Sequence, residues 1–167
     1  MKTRDIGLVA AAAALVLDQS TKLLILYGLG LVHMELGESL SVLPFFNLTM
    51  IRNAGISFGL FPAAGPEGTA LLATFQLLAA VALAWWLWFI RHRALAISVG
   101  LLIGGALGNL IDRLVYGWVN DFFDFHVLGY HWYVFNIADA AITFGVIGLL
   151  YDALLKPETP KGEAGRE

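Results

Sequence analysis

Four stretches of the chain stay apolar for far longer than the alternating or one-faced patterns of soluble elements. They cover about residues 6–27, 68–90, 94–116 and 134–155, and consist of Leu, Ala, Val, Ile, Gly and aromatic residues. A bilayer-crossing helix needs about 20 such residues, so each stretch predicts a transmembrane helix. Aromatic residues gather at the span ends: Trp85, Trp86 and Trp88 close the second span, and Trp118, Trp132 and Tyr133 flank the gap between the third and fourth. These are the places for an aromatic belt. Between spans one and two the period changes. Ser39-Leu40-Ser41-Val42-Leu43 alternates in polarity, Pro44 interrupts, and Phe46 to Ile51 alternates less cleanly. That period predicts a small β-structure, ending before a stretch punctuated by Gly55, Gly59, Pro62, Gly65 and Pro66. The expected fold is a mainly α membrane protein. It has four transmembrane helices and a small extracytoplasmic β-structure in the first outer loop. Residues 1–155 form a single membrane domain, and no internal repeat is visible.

Composition sharpens this picture. The 167 residues are 59% hydrophobic and 14% charged, with a mean hydropathy of +0.75. A soluble domain has about 45–50% apolar and about 25% charged residues, so an ordinary globule and a disordered chain are both excluded. The net charge of −3 and the ten Lys and Arg residues, without a basic patch, argue against a nucleic-acid partner. The absence of cysteine excludes disulfides, thiolate metal sites and cysteine nucleophiles. Lys2, Arg4, Arg91, Arg93, Lys156, Lys161 and Arg166 all fall on one side of the predicted spans. The positive-inside rule then puts both termini in the cytoplasm, with loops 28–67 and 117–133 facing outward. The tail 156–167 is polar, contains Pro and Gly, and is expected to be disordered and cytoplasmic. Lys2, Arg4 and the alanines from Ala10 to Ala14 imitate a secretory signal. The apolar run is too long for one and carries Asp18 and Lys22, so a retained helix is expected.

Those two residues introduce the chemistry. An ionisable group within a spanning helix costs about 2.5–3.5 kcal/mol on insertion scales and needs a partner or a purpose. Asp18 and Lys22 share a helix face at i,i+4 and read as a structural ion pair. Asn109, Asp112 and Arg113 share a face of span three, and Asn136 and Asp139 one of span four. Asp112 lies about 27 Å along span three, and Asp18 about 18 Å along span one. With span four running inward, the polar groups of several segments meet in the outer half of the membrane. Gly104, Gly105 and Gly108 suit a close helix contact. Asp124 reads as a solvated loop carboxylate. His126 and His131 lack a metal-site spacing, so no metal or cofactor is expected. Ser20 and Lys22, at i,i+2, point to different faces, against a serine–lysine dyad. Asp121 and Asp139 have no cationic neighbour in sequence, although Arg113 could reach either. Two carboxylates near one level suit an aspartic peptidase, in which one holds a proton. They suit a proton- or ion-coupled transporter equally, although transporters usually place such groups nearer the midplane and in repeats.

A set of sequence words is more specific. The chain reads Asp18-Gln19-Ser20-Thr21-Lys22, then Asn53-Ala54-Gly55-Ile56-Ser57-Phe58-Gly59. There follow Gly104-Gly105-Ala106-Leu107-Gly108-Asn109-Leu110-Ile111-Asp112-Arg113, Val119-Asn120-Asp121-Phe122, and Phe135-Asn136-Ile137-Ala138-Asp139. In these words and in its four-span layout, over roughly residues 6–155, the chain resembles lipoprotein signal peptidase, the bacterial type II signal peptidase. The resemblance implies a membrane aspartyl endopeptidase that cuts prolipoproteins just before a diacylglyceryl-modified cysteine. It implies Asp121 and Asp139 as the catalytic pair, with Asn53, Asn109, Arg113 and Asn136 lining the site or holding substrate. Asp18, Lys22 and Asp112 are implied as support for the site. It also implies the bacterial cytoplasmic (inner) membrane, contact with membrane lipid, and inhibition by the cyclic depsipeptide globomycin. A monomer is expected.

Overall fold

The structure, a computed structural model, describes residues 1–55 and 65–154. The expected tail 156–167, the last residue of the expected fourth span, and the words from Ile56 to Gly59 lie outside the described residues. Four helices are long and apolar enough to cross a membrane. They are α1 (Thr3–Leu23), α2 (Gly65–Leu87), α3 (Arg93–Tyr116) and α4 (Ile137–Leu154). A π-helical turn, Leu24–Gly28, extends α1 to the length expected for the first span. Helix α4 starts three residues after the expected position 134 because its first turn is capped at Asn136. The Asn136 side-chain oxygen accepts from Asp139 N at 3.0 Å, and the Asp139 carboxylate accepts from Asn136 N at 3.2 Å. This reciprocal bond is a capping box. Gly117, in the left-handed region (φ 83°), ends α3 and returns its N–H to Arg113 O at 3.1 Å.

Helix α3 is the central element, packed against α1, α2 and α4. Its glycines permit this. A Cβ at Gly104 would collide with the Ala11 carbonyl of α1, and one at Gly105 would lie 2.5 Å from the Ala138 carbonyl of α4. The expected small-residue contact is therefore present, and on two faces. Much of the other helices faces outward: on α2 only Ala73, Ala80 and Leu87 are buried. That is the distribution expected where lipid replaces a protein neighbour.

The strands are β1 (Ser39–Leu43), β2 (Phe46–Asn53), β3 (Val119–Val127) and β4 (Tyr130–His131). They form one antiparallel sheet in the order β1-β2-β3-β4. The β-structure expected in the first loop is present and extends further: its central partner, β3, comes from the loop between α3 and α4. Ile51 pairs with Asp121 and Asn53 with Val119, after a register shift between Leu48 and Ile51. A cluster of Ile25, Leu26, Leu31, Leu48, Met50 and Phe122 fastens the sheet to the end of α1. The sheet thus closes the end of the bundle at which α1 and α3 finish and α2 and α4 begin.

Candidate active site

Lys22 is the hub of the polar interior. Its ammonium group has three donors and three buried acceptors: Asp18 at 2.9 Å, Asp112 at 3.2 Å and the Asn109 side-chain oxygen at 3.2 Å. Asp18 and Lys22 form the expected ion pair, and Asp112 completes a triad across α1 and α3. The other oxygen of Asp18 accepts from Ala138 N at 2.9 Å. An anion there satisfies an orphan donor of the α4 N-terminus and complements the helix dipole. Asp112 also accepts from the backbone and side chain of Asn120 at 2.9 and 3.2 Å, fixing the start of β3 to the end of α3.

Amides carry the network from this triad to the second pair of carboxylates. Lys22 can only donate, so the Asn109 oxygen faces it and the Asn109 N–H group faces Asp139 Oδ1, at 2.9 Å. Asn136 bridges the pair. Its Nδ2 donates to Asp121 Oδ1 at 2.6 Å, while its backbone N and side-chain oxygen engage Asp139 in the capping box. Asn53 donates to the other Asp121 oxygen at 3.0 Å and to the Tyr133 hydroxyl at 2.9 Å. Asp121 is fully buried, Asp139 partly so. Burial first, and then the Asp139 charge, push the Asp121 carboxyl well above the usual carboxylate range, against hydrogen bonds from Asn53 and Asn136. Two cations, Lys22 and Arg113, face four carboxylates among the described residues of this region. That imbalance favours retention of a proton by the pair.

Among the described residues, Arg113 makes no direct ion pair with Asp121. Its guanidinium lies in the field of Asp121, Asp139 and Asp112, but donates to Gly55 O at 2.6 Å and to the Gln76 side-chain oxygen at 3.1 Å. Gln76, Tyr133, Gln19 and Asn120 join the site without having been expected as site residues. Gln19 donates to Asp18 at 3.0 Å and to Gly108 O at 3.1 Å. The available signal for Gln76 was a lone amide in an otherwise lipid-like helix. Asp18, Lys22, Asn53, Asn109, Asp112, Arg113, Asp121, Asn136 and Asp139 all join one connected region. Ser20 is exposed and apart from Lys22.

Asp124 corrects an expectation. It is 2% exposed, on β3, rather than solvated in a loop. It accepts from Thr49 Oγ1 at 2.8 Å and meets His131 Nδ1 at 2.8 Å. Burial pushes its carboxyl up, but the hydrogen bonds from His131 and Thr49 and the His131 charge outweigh burial and hold it low. His126 stacks on His131 at 4.9 Å between ring centres. Among the described residues, no three His, Cys, Asp or Glu side chains converge as a metal site.

Beneath the sheet, the polar interior is open between the helices. A cavity of about 460 Å³ between α2, α3 and α4 is lined by Asn53, Gln76, Asn109, Arg113 and Asp139, and otherwise mainly by apolar side chains. A second apolar groove of about 340 Å³, along Trp132, Tyr133 and α4, also reaches Asp139. A partly buried acid is thus approached by apolar space from two sides.

The family model of signal peptidase (SPase) II matches residues 10–155. A lipoprotein signal peptidase of Rhodopseudomonas palustris is 49% identical over 154 residues, covering 90% of this chain and 92% of its own. One from Nitrobacter hamburgensis is 46% identical, covering 95% and 96%. A bacterial membrane enzyme solved by the in meso method superposes with a TM-score of 0.77 at 32% identity, covering 96% of this chain and 94% of its own.

Proposed function

The chain belongs to the signal peptidase II family, and from that premise we propose that it is an aspartyl endopeptidase acting through Asp121 and Asp139. It is a multi-pass membrane protease that removes signal peptides from prolipoproteins. The bond cut is the one just before a diacylglyceryl-modified cysteine.

The observation that carries this reading is the Asn136 bridge. One residue holds both carboxylates, Asp121 through its side-chain amide and Asp139 through its backbone N–H, and burial with the Asp139 charge favours a proton on Asp121. The ionised carboxylate removes a proton from water, whose oxygen attacks the scissile carbonyl carbon. The protonated carboxyl donates to the carbonyl oxygen, stabilising the tetrahedral intermediate. Collapse breaks the C–N bond, and the departing cysteine amine takes up the proton that the carboxylate removed from water. The products are a signal peptide with a new carboxylate and a lipid-modified cysteine with a free amine. The proton belongs to the pair, which titrates jointly. Asn109 and Asn136 hold the carboxylates, Asn53 holds Asp121, and Arg113 with Asn53 faces the substrate backbone. The Asp18–Lys22–Asp112 triad supports them from below.

The two apolar grooves that meet at Asp139 suit a substrate that carries an apolar helix and acyl chains. In the bacterial cytoplasmic membrane, Lys2, Arg4, Arg91 and Arg93 would put the termini in the cytoplasm and the sheet end at the opposite face. The lipidated cysteine would then meet the carboxylates at that interface, the same cleft would hold globomycin, and one copy would suffice.

The deciding experiment is cleavage of a diacylglyceryl-modified prolipoprotein by the purified protein in lipid, beside Asp121→Asn and Asp139→Asn. Cleavage before the cysteine by the wild type, absent in both equally folded variants, is expected. Cleavage surviving in either variant overturns the assignment of the pair. No cleavage by well-folded wild type overturns the peptidase reading, and ion flux in liposomes would then be measured.

A further inference from the structure

Helix α2 presents apolar side chains to lipid along most of its length; Leu71, Phe75, Leu78 and Trp85 are all exposed. Gln76 interrupts it. An amide in hydrocarbon needs partners for both of its ends. Its oxygen has one, Arg113 Nη1, at 3.1 Å. Arg113 carries only donors, so the amide oxygen has to face it and the amide N–H₂ has to face away. That N–H₂ group finds no acceptor among the described residues, and Gln76 is partly exposed where it lines the 460 Å³ cavity shared with Arg113 and Asp139. The cavity therefore contains a donor pair whose orientation is already fixed and which no acceptor among the described residues meets.

Depth narrows the choice of acceptor. Thr69, seven residues before Gln76 on α2, donates to Gly117 O at the end of α3. Gln76 is thus about 10 Å of helix rise further from the sheet end, among the apolar walls of Leu72, Ala79 and Leu83. A signal peptide's apolar segment, entering as a helix, ends shortly before the bond to be cut. The last-turn carbonyls of any helix lack intrahelical donors, and hydrocarbon supplies none. Resting on the signal-peptidase reading, we infer that Gln76 is a substrate-binding residue. Its amide N–H donates to an orphan backbone carbonyl in the last turn of the signal-peptide helix, while its oxygen keeps Arg113 in place.

Two substitutions separate the halves of this role. Gln76→Leu removes both the oxygen and the donors. Gln76→Glu keeps an oxygen for Arg113 and removes the donors. Steady-state cleavage of a diacylglyceryl-modified prolipoprotein is measured in lipid, with thermal melts as a check on folding. Both variants are expected to raise KM by roughly 3–10-fold, the value of one net hydrogen bond, with kcat within about twofold of wild type. A wild-type KM for Gln76→Glu overturns the inference, because the residue then only anchors Arg113. A fall in kcat at unchanged KM overturns it as well, placing the effect at the carboxylates. If Gln76→Leu does not fold, Gln76→Glu alone decides. Failure of the wild type to cleave sinks the peptidase reading and this inference together; any of the other outcomes leaves the peptidase reading standing.

Discussion

Two groups of acidic side chains lie in one polar interior and are treated in opposite ways. Asp18 and Asp112 share a fully coordinated ammonium, Lys22, and each uses its remaining capacity on backbone or amide N–H groups. Asp121 is as deeply buried, but it is held by the amides of Asn53 and Asn136, and no ion pair to it is present among the described residues. A cation neutralises a carboxylate and makes it inert. An amide orients it and leaves its charge to be settled by a proton. The first treatment suits a brace between helices. The second suits acid–base chemistry, because the proton remains exchangeable.

The comparison breaks most visibly when carboxylates become amides. Asp121→Asn is expected to lose at least about 10³-fold in cleavage rate and, above the pH at which Asp121 gives up its proton, to unfold no more easily than wild type, because it then removes a buried charge next to Asp139. The sign of the pH dependence checks this. Asp121 has a raised folded pKa, so its contribution to stability is present below the unfolded carboxylate pKa and is lost as pH rises through the folded pKa. Wild type should therefore lose stability on that alkaline side, and Asp121→Asn should not, in melts across pH.

Lys22→Met should show the reverse. It leaves two buried carboxylates facing each other without their cation, and unfolding measured in detergent should reveal a loss of about 3–5 kcal/mol. A Lys22→Met protein of wild-type stability would mean that the triad is no brace. A subtler change acts on the amides. Asn53 stabilises ionised Asp121, so Asn53→Ala should move the alkaline limb of the kcat/KM profile to higher pH; a move to lower pH would reverse the assigned role. The smallest effect belongs to the fourth buried acid, Asp124. His131 is half-exposed beside Asp124, and His131→Ala should cost about 0.5 kcal/mol at neutral pH in denaturant melts. Asp124 has a lowered folded pKa, so this difference should fade as pH falls through it.

How far the sequence revealed this depended on how local each signal was. The spans were legible because twenty apolar residues in a row have few other uses. β1 was legible because its alternation has period two, and its expected bounds, Ser39 to Leu43, are the observed ones. β3 was not. Val119 to Asp124 is buried at nearly every position, so it lacks alternation, and its Asn and Asp residues read as a loop. Its turn was concealed too: Leu128 and Gly129 adopt positive φ (51° and 81°) between paired Val127 and Tyr130, a hairpin geometry that Leu rarely supports. Within the polar interior, the i,i+4 pair of Asp18 and Lys22 was readable. The turn of Arg113 toward Gln76 was not, because it depends on how α2 packs against α3. The capping role of Asp139 was written in the Asn136–Asp139 spacing, though a second use for the same carboxylate hid it.

The sheet also orders events in time. β2 has to wait for β3, whose Asp121 lies 68 residues beyond its donor Asn53. The remaining donor, Asn136, follows the second loop and caps the last helix. A chain emerging from the ribosome and entering the bilayer helix by helix therefore carries neither a completed sheet nor a held pair of acids until α4 begins to insert. On the proposed mechanism, assembly itself is then the safeguard: the half-made chain has nothing with which to cut its neighbours.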